Sequence, residues 1–124
     1  MLGTRNAVAN LAVKDIGRAR AFFTDTLGLE QVDSEGDELI VLKSGDSLVN
    51  VYRSEYAGTN EATAVTWQVD DIDAEVKSLR NKGVAFEHYD MPGLEREGDV
   101  HVGHGMKVAW FKDPDGNILN IVEE

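Results

Sequence analysis

The chain contains no cysteine. Disulfides, thiolate catalysis and thiolate metal ligation are thereby excluded, and the expectation is a cytoplasmic protein in a reducing compartment. Long apolar runs are missing as well. Nothing approaches the roughly 18 residues that would suggest a membrane span, and Met1-Leu2-Gly3-Thr4-Arg5 lacks the apolar segment of a signal peptide. Basic residues are scarce: 12 Lys and Arg stand against 23 Asp and Glu, a formal net charge of -11. A phosphate-binding surface needs clustered Lys and Arg, so nucleic acid is not an expected partner. Such a field favours solubility and can steer a cationic small ligand. There is also no glycine-rich phosphate loop, no nucleophile elbow and no Ser-His-Asp arrangement.

What is present is a chain of 124 residues, 42% hydrophobic, enough for one domain or for two small modules sharing a core. Its last segment is the most legible. Asp113-Pro114-Asp115-Gly116-Asn117 is a tight reversal: Pro114 presets φ, Gly116 can take positive φ, and Asp113 and Asn117 can bond the local backbone. The strand that follows alternates, with Ile118, Asn120 and Val122 on one face and Leu119 and Ile121 on the other.

Asn6 to Val13 reads as a strand with Ala7, Ala9, Leu11 and Val13 on one face. Asp15 caps a helix carrying Ile16, Ala19, Phe23 and Leu27, and Gly28 ends it. Short strands follow at about Leu29–Asp33, Leu39–Lys43 and Ser47–Arg53, separated by Gly36-Asp37 and Ser44-Gly45-Asp46. Then the pattern restarts. Ala64 to Val69 is a strand, Asp70 or Asp71 caps a helix with Ile72, Val76 and Leu79, Gly83 ends it, and Ala85–Tyr89 is a strand. An irregular stretch, Asp90 to Gly105, precedes the final hairpin Met106–Lys112 and Ile118–Glu123. The chain is therefore an internal repeat. Module 1 runs about 6–53, a polar link 54–61, and module 2 about 62–123 with an insertion at 90–105. The fold class is α+β: two β-α-β-β-β modules in one domain.

One face of each first strand is apolar and should lie beneath its helix, which places Trp67 in the core. The opposite faces carry Asn6, Asn10, Thr66 and Gln68 among small residues, and by parity Asn50, Tyr52 and Asn120 join them. Neutral amides beside Ala, Val and Tyr, without charges, suit a half-enclosed surface for a small ligand. The alternative is that the amides satisfy one another or water. The face occupied by Trp110 is open, because the turn length decides it.

All three histidines fall in one quarter of the chain: His88, His101 and His104. Asp99, His101 and His104 form a candidate acid–base or metal cluster, but the glycine-punctuated segment fixes no face, and a loop touching ligand or an ordinary surface loop are the alternatives. Met91 and Leu94 would cover a site or pack against a second chain.

Taken together, Leu11-Ala12-Val13-Lys14-Asp15-Ile16 with Phe22-Phe23 and Leu27-Gly28-Leu29, Val69-Asp70-Asp71-Ile72, and Phe111-Lys112-Asp113-Pro114-Asp115-Gly116-Asn117 resemble the vicinal oxygen chelate superfamily, which includes glyoxalase I, bleomycin resistance proteins and extradiol dioxygenases. The resemblance implies paired modules curling into a cup, commonly within a homodimer. In metal-dependent members a His, Gln or Glu stands at four inner positions. Carried over, these hold Val8, Asn50, Ala64 and Asn120. Divalent transition metals favour imidazole or carboxylate, so no metal and no cofactor is expected. The chain looks more like bleomycin resistance proteins, which are small, acidic, metal-free and sequester a cationic drug. The implied function is metal-independent binding of a polar or cationic small organic molecule, with Asn10, Asn50, Tyr52, Gln68, Trp110, Asn120, His101 and His104 as ligand contacts. The rival is an enzyme of lyase, isomerase or dioxygenase type with a relocated site around His88, His101 and His104.

Overall fold

A computed structural model describes residues 1–124. The chain divides into two compact units, Met1–Thr59 and Asn60–Glu124. Each repeats the same logic: a strand, a helix capped by aspartate, then antiparallel strands that bring the last strand back beside the first.

In the first unit, β1 (Ala9–Val13) leads to α1 (Ile16–Arg20), and then come β2 (Glu30–Glu35), β3 (Leu39–Ser44) and β4 (Ser47–Arg53). The sheet order is β1-β4-β3-β2, with β1 parallel to β4 and the other pairs antiparallel. Asp15 starts α1, its Oδ1 accepting the Arg18 amide at 3.0 Å. The helix does not run on in α form to Leu27. Residues Ala21–Thr26 widen into a π-turn, with the Leu27 amide donating to the Phe22 carbonyl at 3.0 Å. The Thr24 hydroxyl donates to the Arg20 carbonyl at 2.7 Å, and Gly28 at φ 82° ends the element. Leu11, Val13, Ile40, Leu42, Val49 and Val51 are all buried on the helix side of the sheet, with Ile16, Ala19 and Phe23 of the helical segment.

In the second unit, β5 (Thr63–Gln68) leads to α2 (Ile72–Asn81), a two-residue β6 (Phe86–Glu87), β7 (Glu95–Glu97), β8 (Val100–Gly103), β9 (Met106–Lys112) and β10 (Ile118–Glu123). The order is β5-β10-β9-β8-β7, and β6 also pairs with β9. Asp71 is the cap, its Oδ1 accepting the Ala74 amide at 3.1 Å. A second free amide, that of Ile72, is taken at 3.0 Å by Glu123 from β10. Gly83 at φ 93° closes α2, with Val84 N–H on the Leu79 carbonyl at 3.1 Å and Gly83 N–H on Arg80 at 3.0 Å. On the helix side Phe111, Leu119 and Ile121 are buried, and Trp67 stacks on Phe111 at 6.5 Å between ring centroids.

The stretch 90–105 is not irregular throughout. Residues 95–103 form a β-hairpin that adds two strands to the sheet, β8 continuing the edge of β9 where β6 stops. Its glycines serve the hairpin rather than interrupt it. Gly98 at φ 65° is the hairpin turn, and Gly93 and Gly103 allow a close backbone approach.

Candidate functional site

Strand alternation puts a second face on each sheet, away from its helix. In the first unit Asn10 and Asn50 lie directly opposite one another on neighbouring parallel strands. The Asn50 amide donates to Asn10 Oδ1 at 3.2 Å, so these two amides partly satisfy each other. Tyr52, two residues on, is 39% exposed, and Val8 and Leu48 are also exposed. The face thus carries amides at its centre, and contrary to the expectation of an uncharged face it has Lys43 opposite Leu48 and Glu35 opposite Leu39 toward β2, just as Glu87 and Lys112 share the Trp110 face of the second unit.

In the second unit the corresponding face carries Thr66, Gln68, Asn120, Trp110 and His101. Asn120 is opposite Trp110 across the β9–β10 pair and opposite Thr66 across the β5–β10 pair. Trp110 therefore lies on the face away from α2. It is buried and donates from Nε1 to Thr63 Oγ1 at 3.1 Å. Gln68 is exposed. Asn120 is buried, and its Oδ1 has no hydrogen-bond partner. A buried acceptor left unpaired costs about 1–3 kcal/mol, which marks this side chain as held for something other than packing.

The histidines do not form a cluster. His101 is a β8 residue, 1% exposed, rather than part of a loop. Its Nε2 accepts the Tyr89 amide at 3.0 Å, and its ring meets the Trp110 indole edge-on at 4.9 Å. His88 Nε2 is 2.7 Å from Asp99 Oδ1, whose other oxygen takes Arg80 at 2.7 Å. Hydrogen bonding to His88, then to Arg80, holds the Asp99 carboxyl below its ordinary range against the opposing effect of burial. His104 is exposed, at φ 54° in the β8–β9 turn, with its ring over the Gly93 backbone. His88 and His101 instead fasten the insertion to the segment before it, and His104 packs within the insertion. No three His, Asp or Glu side chains converge as a metal group. Tyr89, expected at the end of a strand Ala85–Tyr89, lies beyond β6, which stops at Glu87. It stands edge-on to Trp110 at 5.2 Å, and only the hairpin brings them together.

The four positions that the resemblance matches to a metal-ligand set hold one methyl-bearing side chain and one amide in each unit: Val8 and Asn50, Ala64 and Asn120. Val and Ala have no donor atom, and an amide carbonyl is a weak, neutral one. This set does not fit a divalent transition metal. A recess of about 440 Å³ beside the hairpin, lined by Gly93, Leu94, Glu95, Glu97, Val102 and Gly103, includes none of the expected contact residues.

Residues 5–121 match the model of the Glyoxalase/Bleomycin resistance protein/Dioxygenase superfamily. No curated protein matches the chain. Among solved structures, a lactoylglutathione lyase from Agrobacterium tumefaciens is similar over 97% of this chain and 93% of its own, with 19% identity and a TM-score of 0.72. TnmS3, an antibiotic binding protein from Streptomyces sp. CB03234, is similar over 97% of both chains, with 19% identity and a TM-score of 0.65. The fosfomycin resistance protein FosX from Listeria monocytogenes is similar over 100% of this chain and 93% of its own, with 16% identity and a TM-score of 0.71. Likeness at this identity is likeness of fold.

Proposed function

Because the chain belongs to the Glyoxalase/Bleomycin resistance protein/Dioxygenase superfamily, we propose that it binds a small organic molecule, polar or cationic, without a metal ion, on the amide-bearing sheet faces. The observation that carries this reading is Asn120: a buried amide oxygen without a partner, at a position where a ligand-binding metal would need imidazole or carboxylate. On the face of the first unit Tyr52 supplies flat apolar contact and the Asn10–Asn50 pair hydrogen bonds, on that of the second Trp110 and Gln68 supply the same, and the net charge of -11 favours a cation. His101 contributes through Trp110, and His104 from the turn beside it.

The reading includes a cytoplasmic homodimer. Support comes from the sheet edges: β1 and β5 end their sheets without a single charged residue, whereas the opposite edges, β2 and β7, are rich in Glu, Asp and Arg. Uncharged edges are suited to meeting another chain.

Native mass spectrometry of protein purified from its source tests the whole reading, since it reports subunit number, metal content and retained small molecules together. A retained organic mass that Asn120→Leu abolishes is the expected result. Tight stoichiometric binding of Zn²⁺ or Ni²⁺ by calorimetry, lost in the same variant, would overturn it.

A further inference from the structure

Residues 88–94 form a strap between β6 and β7. Three histidine contacts fasten it: His88 to Asp99, the Tyr89 amide to His101, and the Gly93 backbone beneath the His104 ring. The first two make opposite demands on a proton. His88 faces a carboxylate, so its imidazolium is a better partner than its neutral form. His101 Nε2 faces an N–H donor, so it must offer a lone pair. The neutral ring then carries its proton on Nδ1, which is buried without a partner. An imidazolium would set two N–H groups against each other at Tyr89.

The surroundings do not offset that conflict. On β7, Arg96 lies directly opposite His101 and its guanidinium is turned to the Gly98 carbonyl. On β9 the nearest residues of the same face are Val108 and Trp110, both uncharged. Lys112, farther along that face, pairs with Glu87 at 3.5 Å. Asp99 precedes His101 by one intervening residue but is engaged by His88 and Arg80. Asp90, next to Tyr89 on the strap, is exposed, and the Tyr89 ring itself packs on Trp110.

We propose that Tyr89 and His101 form an acid-released cover over Trp110: protonation of His101 at Nε2 removes the acceptor that holds the Tyr89 amide and uncovers the indole. The proposal rests on the reading of Trp110 as part of the binding face and gives that face its regulation. The His88 end of the strap stays fastened as acid is added, so opening begins at Tyr89.

Trp67 lies on the other face, so Trp67→Phe leaves Trp110 as the sole indole. Acrylamide quenching of this chain is followed as acid is added, from about pH 8 down to about pH 4. Quenching should roughly double as the local contact opens, with a red shift of emission, and should reverse on return. His101→Gln in the same background keeps an acceptor for the Tyr89 amide but does not titrate, so its quenching should stay flat. A flat response in the parent, or an equal response in His101→Gln, overturns the proposal. Should His101→Gln fail to fold, hydrogen exchange of the Tyr89 amide in the unsubstituted chain decides: protection lost in step with the His101 ring titration supports the cover, and protection that survives ionisation sinks it. No ligand enters these measurements, so their failure is separate from failure of the small-molecule reading.

Discussion

Asn120 and Asp113 are separated by one turn and a few residues of strand, yet they represent opposite uses of a buried polar group. Asp113 is fully engaged. Its Oδ1 accepts the amides of Asp115 at 3.0 Å and Asn117 at 2.8 Å, and its Oδ2 takes the Asn117 side chain at 2.8 Å. Asp113→Ala should destabilise the fold by about 2–3 kcal/mol, several hydrogen bonds at about 1 kcal/mol each, read as a lower urea midpoint. Burial nonetheless outweighs those bonds and raises the Asp113 pKa. Its folded form holds a proton more tightly than its unfolded form, so this group's contribution to stability falls as pH rises through the window above the usual aspartate range. Asp99 has the reverse sign: its pKa is lowered, chiefly by the hydrogen bond to His88, so its contribution is present above the usual range and is lost as pH falls below it. Urea midpoints of Asp113→Asn and Asp99→Asn across acid pH, each against the parent, should deviate in opposite directions. At Asn120 the orphaned oxygen predicts a trade: Asn120→Leu should raise stability by about 1 kcal/mol, because an unpaired buried acceptor is replaced by an apolar group, while removing the retained ligand.

Among the elements, the hairpin β7–β8 depends on close backbone approach. A β-carbon on Gly103 would overlap the Gly93 carbonyl oxygen and crowd Leu94. Gly103→Ala should therefore cost about 2–4 kcal/mol through displaced backbone, and the loss should appear as faster amide exchange in 93–103 rather than in α2. The two aspartate caps provide a contrast. Each accepts one helix amide, and Asp71→Ala should cost about 1 kcal/mol, less than Gly103→Ala because Glu123 still takes the Ile72 amide. Thermal denaturation of the two variants side by side gives the order.

For the whole molecule the dominant quantity is its charge of -11. Association with a cationic planar probe should slow as ionic strength rises, because surface potential is screened within about 10 Å at 0.1 M salt. Stopped-flow fluorescence of Trp110 in the Trp67→Phe chain reads this directly. A salt-independent association rate would mean that the acidic field serves solubility alone. No helix is long and apolar enough to cross a membrane.

Local chemistry determined much of this protein before any tertiary contact. The cap Asp15, a second cap at Asp70 or Asp71, the stops Gly28 and Gly83, the Asp113–Asn117 turn and the alternation of β1, β4 and β10 are all written in spacings of a few residues, so they were legible. So was the placement of Trp67 beneath a helix, since parity alone decides it. Three things were not. The π-turn at 21–26, in which Phe23 is the buried residue, has no short-range signature. The side of the sheet taken by Trp110 depended on a register that the β9–β10 turn sets. The histidines, near in sequence, left a cluster or a plain loop open, and a hairpin inserted between β6 and β9 sends each to a different partner. Hydrogen bonds between residues 11 to 12 apart, His88 to Asp99 and Tyr89 to His101, are decided by which strands pair, and only the folded sheet makes that choice.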